Sequence, residues 1–76
     1  MGKITNSLDV TATGTNIKRL MKDRNITAKD MGKMLGISST AVCKYTKGKA
    51  MPSVAHLVMM AQILNVATND ILVITG

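Results

Sequence analysis

The 76-residue sequence predicts a compact all-α domain of five short helices. Apolar residues recur three or four positions apart in successive segments, and this spacing places them on one helical face. Ser or Thr precedes these segments at positions suited to helix starts, while Gly or Asn follows several of them. A chain of this length is also sufficient for one hydrophobic core.

The N-terminal segment has no helical period. Leu8 and Val10 alternate with polar neighbours, which predicts a short extended arm packed on the domain, although a disordered segment would give the same pattern. We therefore expect an arm over residues 1–12 and a helical domain over residues 13–76.

The first helix is predicted to begin at Thr13 or Thr15, either of which could cap it. Its inward stripe comprises Ile17, Leu20 and Met21. Its charged residues are expected to form a mostly solvated face, comprising Lys18, Arg19, Lys22 and Arg24.

The second helix has a clear start signal. Thr27 is placed to cap it, Asp30 occupies the acidic position of a capping box, and Ile26 can pack on Met31. Gly32 removes a side chain where two helices would approach closely. Gly36 can adopt the left-handed conformation that ends a helix.

A third helix is predicted from about Ser39 to Lys47, with Ser38 as its cap. Val42 and Tyr45 are three apart and face inward. The outer face contains hydroxyls, a thiol and lysines but no acid, and comprises Ser39, Thr40, Cys43, Lys44 and Lys47. The two helices and their tight turn form a helix-turn-helix pattern.

Two further helices are predicted in the apolar C-terminal part. Ser53 follows Pro52 and caps the fourth helix, and Thr68 is placed to cap a short fifth helix. The inner face of the fourth helix comprises Val54, Leu57, Met60, Ala61 and Leu64. The segment 73–75 fits either a terminal strand or a dimer contact.

The net charge of +6 is distributed unevenly. All ten Lys and Arg residues lie at or before Lys49, and Asp70 is the only formal charge from Ala50 onward. Such asymmetry favours one surface that meets an anion. No segment combines these charges with a bulky apolar face on one helix, so nucleic acid is a better partner than a membrane surface.

The motifs together resemble the Cro and phage-repressor type of helix-turn-helix protein, the XRE family. The resemblance covers roughly residues 14–73 and implies a lambda-repressor-like fold. The matching pieces, in the family's order, are Ile17-Lys18-Arg19-Leu20, Thr27, Leu35-Gly36-Ile37-Ser38, Gly48-Lys49 and Pro52-Ser53.

The resemblance implies a sequence-specific regulator of transcription, most simply a repressor, that reads the major groove of double-stranded DNA with helix 39–47. The residues expected to contact bases are Ser39, Thr40, Cys43 and Lys44. Those expected to contact phosphates, together with free N–H groups of the second helix, are Thr27, Ala28, Lys29, Lys47 and Lys49.

The chain departs from the family pattern at three positions. The family usually has Gln at the position of Ala28, where it holds a phosphate. It also commonly pairs Arg at the position of Met21 with Glu at the position of Thr46. Loss of both partners together avoids an unpaired buried charge. We expect Met21 to pack near Thr46 and Tyr45 instead.

A homodimer is expected, because two-fold pairing allows two half-sites to be bound together. The predicted interface comprises Met59, Ile63, Val73 and Ile74. The alternative is an antitoxin or protein-interaction module that uses the apolar C-terminal half, and the two functions can coexist.

Other classes are disfavoured. The sequence shows no acid pair, activated nucleophile, metal cluster or phosphate loop, so we expect no enzyme, cofactor or metal site. His56 has no potential ligands at suitable spacing. Cys43, the single cysteine, fits the cytoplasm and is more simply a packing thiol than a redox switch. No apolar run suggests a membrane span.

Overall fold

The computed structural model describes residues 7–75, which form five helices and one pair of two-residue strands. The helices are Val10–Asp23 (α1), Ala28–Leu35 (α2), Ser39–Thr46 (α3), Val54–Leu64 (α4) and Thr68–Ile71 (α5). The strands, Ser7–Leu8 (β1) and Ile74–Thr75 (β2), pair antiparallel, with Leu8 opposite Ile74. The predicted all-α, five-helix fold is confirmed.

The predicted division at residues 12 and 13 remains a prediction, and part of it, residues 1–6 and Gly76, lies outside the described residues. For segment 73–75, the structure shows the terminal strand, with its backbone paired to β1. The backbone N–H of Asp9 extends this connection by donating to the Val73 carbonyl oxygen at 2.7 Å.

Helix α1 begins earlier than predicted. Asp9 is its cap, and its carboxylate accepts a hydrogen bond from the Ala12 N–H at 2.8 Å. The prediction of a cap at Thr13 or Thr15 is therefore wrong. Both lie inside the helix, because Asp9 satisfies a free N–H at the helix start and so overrides the alternating pattern around it.

Thr13 has a different role from the predicted one. Its side chain is fully buried, and its hydroxyl accepts a hydrogen bond from the Val73 N–H at 3.0 Å. The bond joins the first turn of α1 to the segment that follows α5. It satisfies a backbone donor that no helix or strand bond uses.

The start of α2 is the predicted capping box. The Thr27 hydroxyl accepts from the Asp30 N–H, and the Asp30 carboxylate accepts from the Thr27 N–H, both at 3.1 Å. The Thr27 N–H lowers the pKa of the Asp30 carboxyl below its ordinary value, and the bond with the Thr27 side chain adds to this effect. Hydrogen bonding of the Asp30 carboxyl to Thr27 thus favours its charged form.

The turn between α2 and α3 depends on two glycines. Gly36 ends α2 at φ 75°, in the left-handed region. Gly32 lies against the backbone of the turn, because a β-carbon at this position would be 2.7 Å from the Ile37 carbonyl oxygen. Both predicted roles are confirmed, and they fix how closely α3 follows α2.

The core lies between the helices and is almost entirely aliphatic. Its fully buried members include Ile17, Met31, Val42, Met60, Leu64 and Ile71. Two predictions about the C-terminal helices are wrong. Val54 is 78% exposed, because it opens α4 ahead of the turn that packs. Ala67 rather than Thr68 precedes α5, and its N–H donates to the Asp70 carboxylate at 3.0 Å.

Candidate nucleic-acid interface

Helix α3 packs on the core through one side and exposes the other side to solvent. Ser38 caps it by accepting from the Ala41 N–H at 3.1 Å. Val42 is fully buried, and Tyr45 packs partly buried against the core. The opposite side is therefore directed outward by helical geometry alone.

Of the predicted base-contacting residues, Thr40 and Lys44 lie opposite Val42, whereas Ser39 is three residues before Val42 and is exposed because it opens the helix. Ser39, Thr40 and Lys44 are exposed, whereas Cys43 is partly buried. The surface thus offers two hydroxyls and an ammonium group, all capable of hydrogen bonding to base edges. None of these residues is acidic, so nothing on this side of α3 repels a polyanion.

A second contact joins α3 to α4. The Tyr45 hydroxyl lies 3.2 Å from Nδ1 of His56, and the two rings are tilted by 54°. This bond orients α3 without using its outward side.

Residues 7–75 contain no group of three or more His, Cys, Asp or Glu side chains that could hold a metal ion.

The predicted phosphate-contacting residues flank the outward side of α3. Thr27, Ala28 and Lys29 lie at the start of α2. The capping box uses the N–H groups of Thr27 and Asp30 but not those of Ala28 and Lys29. Lys47 ends α3 and Lys49 follows in the loop, both exposed. Helix N-terminal N–H groups and lysines are the usual phosphate ligands.

The lysines near α3 carry uncompensated charge. Across the described range 7–75 the one ion pair joins Arg19 to Asp23 at 3.7 Å, on the exposed side of α1. Lys44, Lys47 and Lys49 take no part in it. Their charge is thus available to an external anion.

A cleft of 640 Å³ opens beside α3, between the end of α1 and the start of α2. It is lined by Lys18, Met21, Lys22, Asn25, Ile26, Thr27, Ala28, Cys43, Thr46 and Lys47. Met21 and Thr46 both line it, and the packing of Met21 against Thr46 and Tyr45 stays a prediction. The Thr46 hydroxyl donates to the Cys43 carbonyl oxygen at 3.0 Å, within α3.

Sequence reasoning did not identify Lys18 and Lys22 as part of this region. Both belong to the predicted solvated face of α1, and both are exposed, yet both line the cleft. Their four-residue spacing was the available signal, because it places them on one face of α1 beside Met21. The cleft itself depends on three elements that no local pattern brings together.

The predicted dimer residues occupy two separate parts of the chain. Met59 (37% exposed) and the partly buried Ile63 lie on α4, whereas Val73 and Ile74 (64% exposed) lie at and beside β2. Val58 on α4 adds a side chain that is 43% exposed.

Within residues 7–75, none of the helices combines the length and apolarity that crossing a bilayer requires.

Solved structures with the same fold include several regulators. The restriction-modification controller protein C.AhdI from Aeromonas hydrophila is 14% identical at TM-score 0.76, with 83% of this chain and 96% of that chain covered. The P22 c2 repressor, solved with a synthetic operator, is 23% identical at TM-score 0.71, with 75% and 86% covered.

The clp gene regulator ClgR from Corynebacterium glutamicum is 17% identical at TM-score 0.75, with 86% of this chain and 84% of that chain covered. These identities establish similarity of fold. A comparison with curated protein sequences finds no match.

The family model HTH_3, described as helix-turn-helix, matches residues 17–71. The match includes all of α2, α3, α4 and α5 and the second half of α1. It confirms the resemblance drawn from the sequence motifs and places the protein among regulators rather than enzymes. The chain therefore belongs to the helix-turn-helix family HTH_3 of DNA-binding transcription regulators.

Proposed function

We propose that the protein is a sequence-specific repressor that inserts α3 into the major groove of double-stranded DNA. The observation that carries this proposal is the outward side of α3. Thr40 and Lys44 are exposed opposite the buried Val42, and Ser39 is exposed at the start of the same short helix. A major groove about 12 Å wide admits such a helix.

The flanking groups support the same orientation. Ala28 and Lys29 offer N–H groups at the start of α2, and Lys47 and Lys49 offer charge at the other end of α3. Phosphate contacts on both sides of a recognition helix would fix its register in the groove. Ala28 lacks the side-chain amide common in the family, so phosphate binding here depends on the backbone and the lysines.

The fold neighbours fit this proposal. One is a repressor solved with a synthetic operator, and another is a controller protein of a restriction-modification system. Repression needs only that a bound domain occupies DNA at a promoter. The proposal is therefore the simplest regulatory mode for a helix-turn-helix domain of this size.

The proposal includes a homodimer that binds two half-sites about one DNA turn apart. The proposed interface comprises Met59, Ile63, Val73 and Ile74, and the exposed Val58 lies beside Met59 on α4. Sedimentation should give a dimer on DNA. A monomer at micromolar concentration, both free and DNA-bound, would contradict this part of the proposal.

The same exposed apolar surface also favours the second candidate, a protein-interaction module such as an antitoxin. Val54 is 78% exposed and lies on α4 with Val58 and Met59. The two candidates differ in what the pure protein does alone. A repressor shifts a defined duplex without a partner, whereas a module that only binds another protein does not.

The experiment is selection of bound sequences from a random duplex pool, followed by affinity measurements at several salt concentrations. Lys44→Ala should relax base preference, because Lys44 is proposed to contact bases. Lys49→Ala should weaken all sequences alike and reduce the salt slope by about one. Lys33→Ala, at an exposed lysine of α2 outside the proposed contacts, is the matched control.

Failure to enrich any sequence would contradict sequence-specific binding. Identical behaviour of the Lys44 and Lys49 variants would contradict the division between base reading and phosphate contact.

A further inference from the structure

The cleft beside α3 is lined by apolar side chains and by lysines. DNA binding explains the lysines but not the apolar side chains. Its inner wall is largely apolar, formed by Met21, Ile26, Ala28 and Cys43. Met21 is 5% exposed, and the other three are partly buried. A sugar-phosphate backbone is polar and charged, so the apolar wall suits a different occupant.

The mouth of the cleft is cationic. Lys18, Lys22 and Lys47 are exposed and line it, and no acidic residue is among the lining residues. The three lysines belong to two helices, Lys18 and Lys22 to α1 and Lys47 to the end of α3. Such a site selects an anionic head group and disfavours a cationic one.

Three uncharged side chains from three helices line the same space. Met21 of α1, Ala28 of α2 and Thr46 of α3 all line the cleft. Met21 is 5% exposed, and Ala28 and Thr46 are partly buried. No charged side chain therefore extends into the cleft from these three positions.

The volume is suitable for a small molecule. Ligand pockets are typically about 300–1,000 Å³, mostly apolar, with a few charged groups that fix orientation. The 640 Å³ of this cleft falls within that range. An apolar wall with a cationic mouth matches a ligand that has an aliphatic body and one anionic end.

We propose that this cleft binds a small amphipathic carboxylate, its aliphatic body against Met21 and Ile26 and its carboxylate among the lysines at the mouth. Thr27, Ala28 and Lys47 line the cleft and are also the proposed phosphate contacts. Occupancy therefore excludes the DNA backbone and releases the protein from DNA. This second consequence rests on the proposed function, whereas ligand binding does not.

The first experiment uses the full chain without DNA. Decanoate, below its micellar concentration, is titrated by calorimetry and by amide chemical-shift mapping. Saturable one-to-one binding is expected, with shifts at Met21, Ile26, Ala28 and Thr46. Decanol should bind at least about tenfold more weakly, because it lacks the charge that the lysines attract. Inorganic phosphate should give no shift at Met21 or Ile26.

Absence of saturable binding overturns the proposal. Equal affinity for decanol and decanoate overturns the role assigned to the lysines. Shifts confined to α4 and α5 overturn the location and indicate a general apolar surface.

Two cleft-filling changes test the site in different ways. The double change Met21→Arg with Thr46→Glu introduces the charged pair of the family pattern, and Ala28→Gln separately extends a side chain from the start of α2. Each should reduce decanoate affinity by at least about tenfold. Unchanged decanoate affinity in every variant that folds overturns the site. If one variant does not fold, the result for the other variant decides.

A charge change separates the mouth from the rest of the surface. Lys22→Gln should weaken decanoate binding about threefold or more, whereas Lys33→Gln, at an exposed lysine outside the cleft, should leave it unchanged. Equal loss in both variants would show only a response to net charge and overturn the assignment.

The regulatory consequence is measured last, on a duplex that the protein has been shown to bind. Decanoate should lower DNA affinity in the wild type but not in the cleft-filled double variant. Decanoate binding without any effect on DNA overturns the competition alone. A protein that binds decanoate but no DNA overturns the proposed function and leaves the ligand site standing, so the two failures are distinguishable.

Discussion

Replacement of Gly32 by alanine tests how tightly α3 is held against α2. The added β-carbon would lie 2.7 Å from the Ile37 carbonyl oxygen and 3.3 Å from the Ser38 carbonyl carbon and the Ser39 nitrogen. The first distance is about 0.7 Å short of ordinary contact, which begins at 3.4 Å. All three neighbours are backbone atoms, so the start of α3 must move as a unit.

The expected change in stability follows from two opposing effects. Alanine gains roughly 0.5–1 kcal/mol over glycine inside a helix, and forcing a side chain into a packed contact costs roughly 1–3 kcal/mol. The net expectation for Gly32→Ala is a loss of about 0–2.5 kcal/mol in the free energy of unfolding, with a middle value of about 1 kcal/mol. Urea unfolding followed by circular dichroism measures it.

Gly36→Ala is the matched control. Gly36 has φ 75° and open space around its β-position, so alanine there is strained without colliding with any neighbour. It should lose roughly 1–2 kcal/mol of stability, similar to the Gly32 variant. The position of α3 should not change.

DNA affinity of the folded protein separates the two variants. Movement of Ser39 and its neighbours should degrade base contacts and reduce affinity for a selected duplex about tenfold in Gly32→Ala, while Gly36→Ala should bind nearly as the wild type does. If Gly32→Ala is as stable as the wild type and binds with unchanged affinity, the close approach of the two helices is not what positions α3.

Two further predictions concern the elements that support this unit. Thr13→Val keeps the shape of a fully buried side chain but leaves the Val73 N–H without its partner, so unfolding free energy should fall by about 1–3 kcal/mol; an unchanged urea midpoint would contradict this. Asp30→Asn should remove a pH-dependent contribution, because the Thr27 N–H lowers the pKa of Asp30 in the folded state. That contribution is present above the ordinary pKa of 3.8 and is lost as pH falls through the lower folded-state value, so the gap in melting temperature between wild type and variant should narrow below about pH 4. A gap that stays constant down to about pH 2 would contradict this reasoning.

The elements that sequence reasoning predicted correctly depend on local chemistry. Thr27 and Asp30 are three residues apart, and their reciprocal bonds need only the first turn of α2. Gly32 and Gly36 are four apart, and their roles follow from one helix and one turn. Local rules act on such features directly, so the helix-turn-helix unit could be predicted.

The features that could not be predicted are produced by distant parts of the chain or by competing local signals. The pairing of Leu8 with Ile74 joins opposite ends of the described chain, and no short pattern encodes it. The cap at Asp9 is masked in the sequence because Leu8 and Val10 alternate as in a strand, although a strong cap outweighs so short an alternation. The bond between Tyr45 and His56 was likewise not foreseen.

The cleft illustrates a further limit. The departures at Met21, Ala28 and Thr46 were recognised individually from the sequence, and the adjacency of Met21 and Thr46 was expected. Their combination with Lys18 and Lys22 into one lined space required the arrangement of three helices. The shape of a cleft depends on how the helices around it pack, and local sequence patterns do not specify that packing.

The most direct measurement is amide chemical-shift mapping of the labelled protein with a selected duplex. The largest changes should fall on residues 39–47 and on the start of α2, at residues 27–29, with little change in α4. Changes concentrated on α4 and β2, with α3 unaffected, would contradict the assignment of α3 as the DNA-reading helix.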